Sequence, residues 1–352
     1  MREISKNIKP SIFKKIFIKM CRFLGFEIID QNTFTVSTSN KFVGETISTP
    51  GVNSINIPLG KVEITRKVES LDIIIRTCSS VKMLTQNKER IFGKEKIEYT
   101  LRSINSIINS VLESINIFKK INFKITIVDH NSSLENLGRI KSLISSSNID
   151  YNIINLDMKE FERKIERKNQ KKELVKFNQL SNMSNIYKSF EISKSFSDLI
   201  YFVEDDYLHK KEAVKEILFA YERISSQVKD EIIICPIDYP YLYTKAETTY
   251  IFLGENFHWR KINETLCTFL TSKKMIQKNW DKFISICKFE HYPFEKPLHD
   301  IYQKEMCISP VPSLAVHCTN INSIFGVSPN IDIKKIWEEN EIKKGPGGEP
   351  GP

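Results

Sequence analysis

What this 352-residue sequence lacks narrows its class before any motif is weighed. No apolar run approaches the roughly 20 residues needed to cross a bilayer as a helix, and lysines interrupt the apolar positions near the start too often for a signal peptide. The seven cysteines are scattered and odd in number, with no Cys-x-x-Cys pair. That excludes a zinc knuckle or a disulfide framework and fits reduced core thiols in a cytoplasmic protein. No Gly-rich phosphate loop follows the apolar run before Arg76. No RNA- or DNA-binding signature accompanies the formal charge of +9 and the pI near 9.0. The charge therefore points to nucleotide diphosphates or acidic lipid headgroups rather than nucleic acid.

What is present suits a large core: 41% hydrophobic residues and 22 phenylalanines, in a length that allows one large domain with appendages. Its most informative stretch is Leu199–Leu208, Leu-Ile-Tyr-Phe-Val-Glu-Asp-Asp-Tyr-Leu. An apolar run that stops at Glu204, Asp205 and Asp206 reads as a strand buried on both faces, ending at the carboxyl edge of a parallel sheet. Open α/β sheets bind ligands at that edge. Three adjacent carboxylates repel one another unless a cation neutralises them or they splay into water. The first outcome suits Mg²⁺ or Mn²⁺; the second is a solvated acidic turn ahead of a helix near Lys211.

Tyr201-Phe202-Val203-Glu204-Asp205-Asp206-Tyr207 resembles the acidic DxD metal motif of GT-A glycosyltransferases, and its Glu-Asp-Asp form is most similar to that of N-acetylglucosaminyltransferases. The resemblance implies metal ligation by Asp206, donor contacts from Glu204 and Asp205, and a GT-A (Rossmann-like) α/β fold with a mixed, mainly parallel sheet flanked by helices. Leu71–Ile75 is the first strand, and the resemblance makes Arg76 and Thr77 after it donor contacts; they also read as a surface Arg and an N-cap. Glu95–Phe118 carries apolar residues spaced alternately four and three, a long one-faced helix. Phe123–Val128 then forms a strand parallel to the first. In the family, an Asp in the following loop pairs with the nucleotide base, which implies that Asp129 accepts from a uracil or guanine ring N–H. Asn185 resembles an Asn of the helix that precedes the acidic strand.

Further along, Tyr151–Leu156 reads as a third strand, Lys159–Lys176 as a solvated helix or loop, Ala213–Ile224 as a helix and Glu231–Pro236 as a strand. Asp238–Tyr243 crowds three tyrosines into a loop, for acceptor contact or for packing. Thr268–Lys273 resembles the strand that supports the donor sugar. Pro297-Leu298-His299-Asp300-Ile301 sits where many inverting GT-A enzymes place an acidic residue opening a helix, which implies Asp300 as general base; a helix N-cap is the alternative. Pro312-Ser313-Leu314-Ala315-Val316-His317 resembles the loop whose His contacts metal or diphosphate, implying an Asp206–metal–His317 arrangement.

Residues 1–66 read as an amphipathic helix and extension, 67–330 as the GT-A-like domain, and 331–352 as a helix end and a tail disordered by composition. Ile8–Phe26 has apolar residues at helical spacing and a basic remainder, for an anionic membrane surface or for docking on its own domain. The implied function is metal-dependent transfer of a hexosyl or N-acetylhexosaminyl group from a nucleotide diphosphate donor, UDP-sugar favoured, to a hydroxyl of a glycan, polysaccharide or lipid-linked sugar. Its expected place is cytoplasmic or peripheral on the inner membrane surface. A catalytically inactive glycan-binding scaffold and a sugar nucleotidyltransferase are the alternatives.

Overall fold

The computed structural model describes residues 12–25, 54–57, 60–80, 91–243, 249–318 and 330–342. The tail expected from Lys343 lies outside them, as does most of the expected extension. Helix α1 (Ile12–Phe23) and a hairpin of β1 (Ser54–Ile57) and β2 (Gly60–Glu63) precede the main body.

That body begins with strand β3 (Ser70–Thr77), followed by helix α2 (Lys96–Ile117), strand β4 (Asn122–Asp129), helix α3 (Leu134–Ser145) and strand β5 (Asp150–Asn155). The basic stretch after β5 is a short 3-10 turn and a loop closed by a Lys168–Leu174 bridge. Helix α4 (Phe177–Ser193) then leads to β6 (Leu199–Glu204), the acidic turn and β7 (Tyr207–His209). Helix α5 (Ala213–Val228), β8 (Ile233–Ile234), β9 (Ile251–Leu253), β10 (His258–Lys261) and β11 (Phe269–Ser272) follow. The chain continues through α6 (Lys273–Lys278), α7 (Trp280–Lys288), α8 (Lys296–Tyr302), β12 (Cys307–Val311), β13 (Ala315–His317) and α9 (Ile333–Glu339).

Nine strands form one sheet in the order β5-β4-β3-β6-β11-β8-β12-β10-β9. Only β11 and β10 run against the rest, so the fold is α/β with a mixed, mainly parallel sheet. Period-two alternation sorts the central strands between two layers. Leu71, Ile73, Ile75, Leu199, Tyr201 and Val203 pack on the side of α2, α3 and α5. Ile74, Ile200 and Phe202 pack on the side of α4, α7 and α8. Burial on both faces is why β3 and β6 read as continuous apolar runs.

Helix α9 extends the fold past the boundary expected at residue 330. Trp337 stacks on Phe92 at 4.2 Å between ring centroids, lies 4.8 Å from Tyr99 and has the Arg102 guanidinium 4.4 Å from its centroid. Residues 333–339 thus pack on α2, part of the central layer.

Candidate functional site

The strand order reverses between β3 and β6, because β4 and β5 lie to one side of β3 and the later strands to the other. Open sheets place their ligand crevice at such a switch point, beyond the carboxyl ends of the strands. The parallel register sets Arg76 beside Glu204 and Thr77 beside Asp129 along this edge. Four of the expected site residues therefore share one rim.

The acidic triplet is resolved by splaying, and each carboxylate takes its own partner. Glu204 lies 3.1 Å from the Arg76 guanidinium, and the Thr268 hydroxyl donates to its side chain while accepting from its N–H. Asp205 turns back toward α2, where the Lys96 ammonium and the Thr100 hydroxyl donate to it, joined by the Cys78 N–H of the β3 loop. Asp206 faces His317, whose Nε2 is 3.3 Å from Oδ2. The repulsion that made a metal attractive is thus relieved by protein cations, so it does not by itself require one. Asp205 also differs from its expected donor contact, since it is buried and occupied in tying α2 to the β3 loop.

A two-stranded ribbon brings His317 to Asp206. Strand β13 pairs antiparallel with β7, His317 opposite Tyr207, and the His317 ring stacks on Tyr207 at 4.7 Å. The Cys318 N–H donates to the Asp206 carbonyl and fixes the register. Burial lowers the pKa of His317, but Asp206 and Glu204 outweigh it and hold it above the ordinary value. Its Nδ1 is buried without a hydrogen-bond partner. Among the described residues no cluster of three or more His, Cys, Asp and Glu forms a closed metal cage. An oxygen and an imidazole at the crevice still fit the habit of Mg²⁺ or Mn²⁺, which takes one or two protein ligands plus substrate phosphates.

On the other side of the crevice, Asp129 accepts from the Thr77 and Ser132 hydroxyls, both at 2.6 Å, and from the Ser132 N–H at 3.2 Å. A carboxylate offers about four lone-pair sites, which leaves one for a ring N–H. Asn185 donates to the Val128 carbonyl at 2.9 Å and so supports the end of β4, while its own carbonyl oxygen is buried without a partner. Arg76 is buried, one guanidinium nitrogen on Asn182 at 3.0 Å. It holds Glu204 rather than presenting itself to solvent.

Asp300 is not brought to this cluster. It lies inside α8 rather than at its start, half-exposed, and pairs with Lys296 at 3.3 Å in an i,i+4 ion pair. The N-cap is Glu295, so the capping alternative for Asp300 also falls away. Glu295 is the carboxylate of this helix start that feels the charges of the site: burial pushes it up to about 7, Glu204 adds to the rise and His317 opposes it. A Pro in the first turn of α8 was the sequence signal for this helix start.

The tyrosine loop resolves in favour of packing. Tyr239 and Tyr241 are buried, and the Tyr239 hydroxyl lies 2.7 Å from that of Tyr207. Asp238 is closed off by Tyr243 and Arg260, while its N–H donates to the Ser313 hydroxyl of the loop that delivers His317. Strand β11 pairs antiparallel with β6, Phe269 opposite Phe202, and so sets Thr268, the residue just before it, against Glu204.

No family model matches the chain, and no curated protein matches it in sequence. Solved structures similar to it include TarS of S. aureus, 14% identical over 60% of this chain and 29% of that one at a TM-score of 0.33. The chain thus spans under a third of TarS, and 57% of its 1–349 portion. UDP-glucose pyrophosphorylase complexed with UDP-glucose is similar at 8% identity over 77% of this chain and 98% of that one, TM-score 0.37. The galactosyltransferase LgtC, in complex with donor and acceptor sugar analogues, is similar at 9% identity over 77% and 100%, TM-score 0.33. Likeness this loose leaves the function to be argued from the site.

Proposed function

We propose that this chain is a glycosyltransferase that moves a sugar from a nucleotide diphosphate donor, UDP-sugar favoured, to a hydroxyl acceptor. The observation that carries this reading is the placing of Glu204, Thr77 and Asp129 on the switch-point edge of the main sheet, with the Asp206–His317 pair directly after Glu204. Asp206 and His317 would hold Mn²⁺ or Mg²⁺, which when bound offsets charge developing on the leaving diphosphate.

The chain's own residues take the remaining roles. Asp129, preset by Thr77 and Ser132, accepts from the base through its remaining lone pair. Glu204, held by Arg76, meets the ribose or donor sugar. Asp205 acts as a positioning residue through Lys96 and Cys78. Glu295 replaces Asp300 as the proposed general base. The acceptor oxygen bonds to the sugar carbon as the carbon–diphosphate bond breaks, and the acceptor proton passes to a Glu295 oxygen. A pKa near neutrality suits that task.

The test is a thermal-shift panel of nucleotide sugars with and without Mn²⁺, since a ligand bound by the native state raises apparent stability. A Mn²⁺-dependent rise with a UDP-sugar, absent in Asp206→Ala, is the expected result. Failure of every nucleotide sugar to stabilise the protein would overturn the reading.

A further inference from the structure

Helix α1 stands apart from the chemistry above. Ile12, Phe13, Ile16, Phe17, Met20, Phe23 and Leu24 are between 52% and 90% exposed. At 3.6 residues per turn these seven fall within an arc of roughly 140°. The sequence places Lys14, Lys15, Lys19 and Arg22 on the rest of the circumference, and α1 contains no acidic residue. So large an apolar stripe is costly in water and marks a binding surface. At 12 residues the helix is too short to span a bilayer, and no helix among the described residues is long and apolar enough to do so.

We propose that α1 lies in the plane of an anionic lipid surface, its apolar arc inserted among the acyl chains and its lysines and arginine against the headgroups. Charge selects this occupant. A second copy of α1 would bring its own excess of positive charge, whereas an anionic membrane complements every charged side chain the helix has. The chain's net charge of +9 acts in the same direction. This surface is independent of donor binding, so it stands or falls apart from the proposed transferase activity.

Co-sedimentation of the full-length protein with vesicles tests it, comparing phosphatidylcholine alone with phosphatidylcholine containing phosphatidylglycerol, each at low and high salt. Binding is expected only to the anionic vesicles and is weakened by salt. Phe13→Glu with Phe17→Glu, and separately Lys14→Glu with Lys19→Glu, should each lower the partition constant by about tenfold or more. Their melting temperatures and nucleotide-sugar response should match the parent protein, because these changes lie outside the core. Equal binding to neutral and anionic vesicles, or unchanged partitioning of both variants, overturns the proposal. So does sedimentation of the parent as a dimer that Phe13→Glu with Phe17→Glu makes monomeric, which assigns the stripe to a second copy.

Discussion

His317 Nε2 lies 3.3 Å from Asp206 Oδ2, although His317 ends a strand of a separate two-stranded ribbon and Asp206 sits in the turn that joins the main sheet to that ribbon. The ribbon makes them one unit. Replacing either with Ala should weaken Mn²⁺-dependent donor binding by about 10- to 100-fold, read as loss of the Mn²⁺-dependent thermal shift. Unchanged Mn²⁺ response in both variants would remove the pair from the donor site.

Glu295 is the N-cap of α8 and Asp300 lies within that helix, so substituting each in turn tests which carboxylate acts as base. Glu295→Gln should lower kcat by roughly a hundredfold or more and leave the donor dissociation constant within about twofold, because proton transfer is realised only in the transition state. Asp300→Asn removes only a surface ion pair, worth about 0–1 kcal/mol, and should leave turnover near the parent value. The reverse ranking in steady-state kinetics would restore Asp300 as base.

Much of this was legible in advance, for particular reasons. Residues 199–204 announced themselves because a strand buried on both faces has no polar option, and Pro312–His317 carried enough local pattern to be matched with Asp206. The partners of the triplet were not legible. Lys96 meets Asp205 across 109 residues of sequence, and only the sheet order brings them together. Glu295 was missed because the resemblance points to Asp300, and a helix start is ambiguous by several residues when acidic groups lie on both sides of a Pro. The tyrosines at 239 and 241 read equally as acceptor contacts or as packing, because composition does not report which way a side chain points.

Asp72 supplies a pH prediction. It is buried on β3 beside Lys124, and burial raises its carboxyl from 3.8 to about 6, with Lys124 opposing and Asp150 adding to the rise. The folded state thus binds this proton more tightly than the unfolded chain. Its stability contribution is full below about pH 3.8 and is lost as pH rises through about 6. Asp72→Asn should match the parent protein near the acid end and exceed it by on the order of 2–3 kcal/mol above the upper value. Urea unfolding across that window is the measurement, and a pH-independent difference would contradict the assignment.

Gly254 has no room for a side chain. Its N–H donates to the Phe257 carbonyl at 2.8 Å, and a Cβ there would overlap that oxygen and the indole nitrogen of Trp259, which is fully buried. Gly254→Ala should cost about 1–3 kcal/mol, as overpacking does, and lower the melting temperature by several degrees. Differential scanning calorimetry checks this, and an unchanged melting temperature would mean that Trp259 moves freely.

The pairing of β6 with β11 also governs when the chain is able to fold. Leu199 meets Leu71 on one side and Ser272 on the other, so the far edge of β6 stays open during synthesis until residues 269–272 have been made. Until then the row that carries Ile200 and Phe202 presents unpaired backbone, the condition under which a nascent strand recruits the wrong neighbour. Thr268 and His317 likewise emerge after Glu204 and Asp206, the carboxylates they hold. A fragment that stops before Phe269 is therefore expected to aggregate and to lack the donor site, while the complete chain folds slowly because its decisive contacts are far apart in sequence.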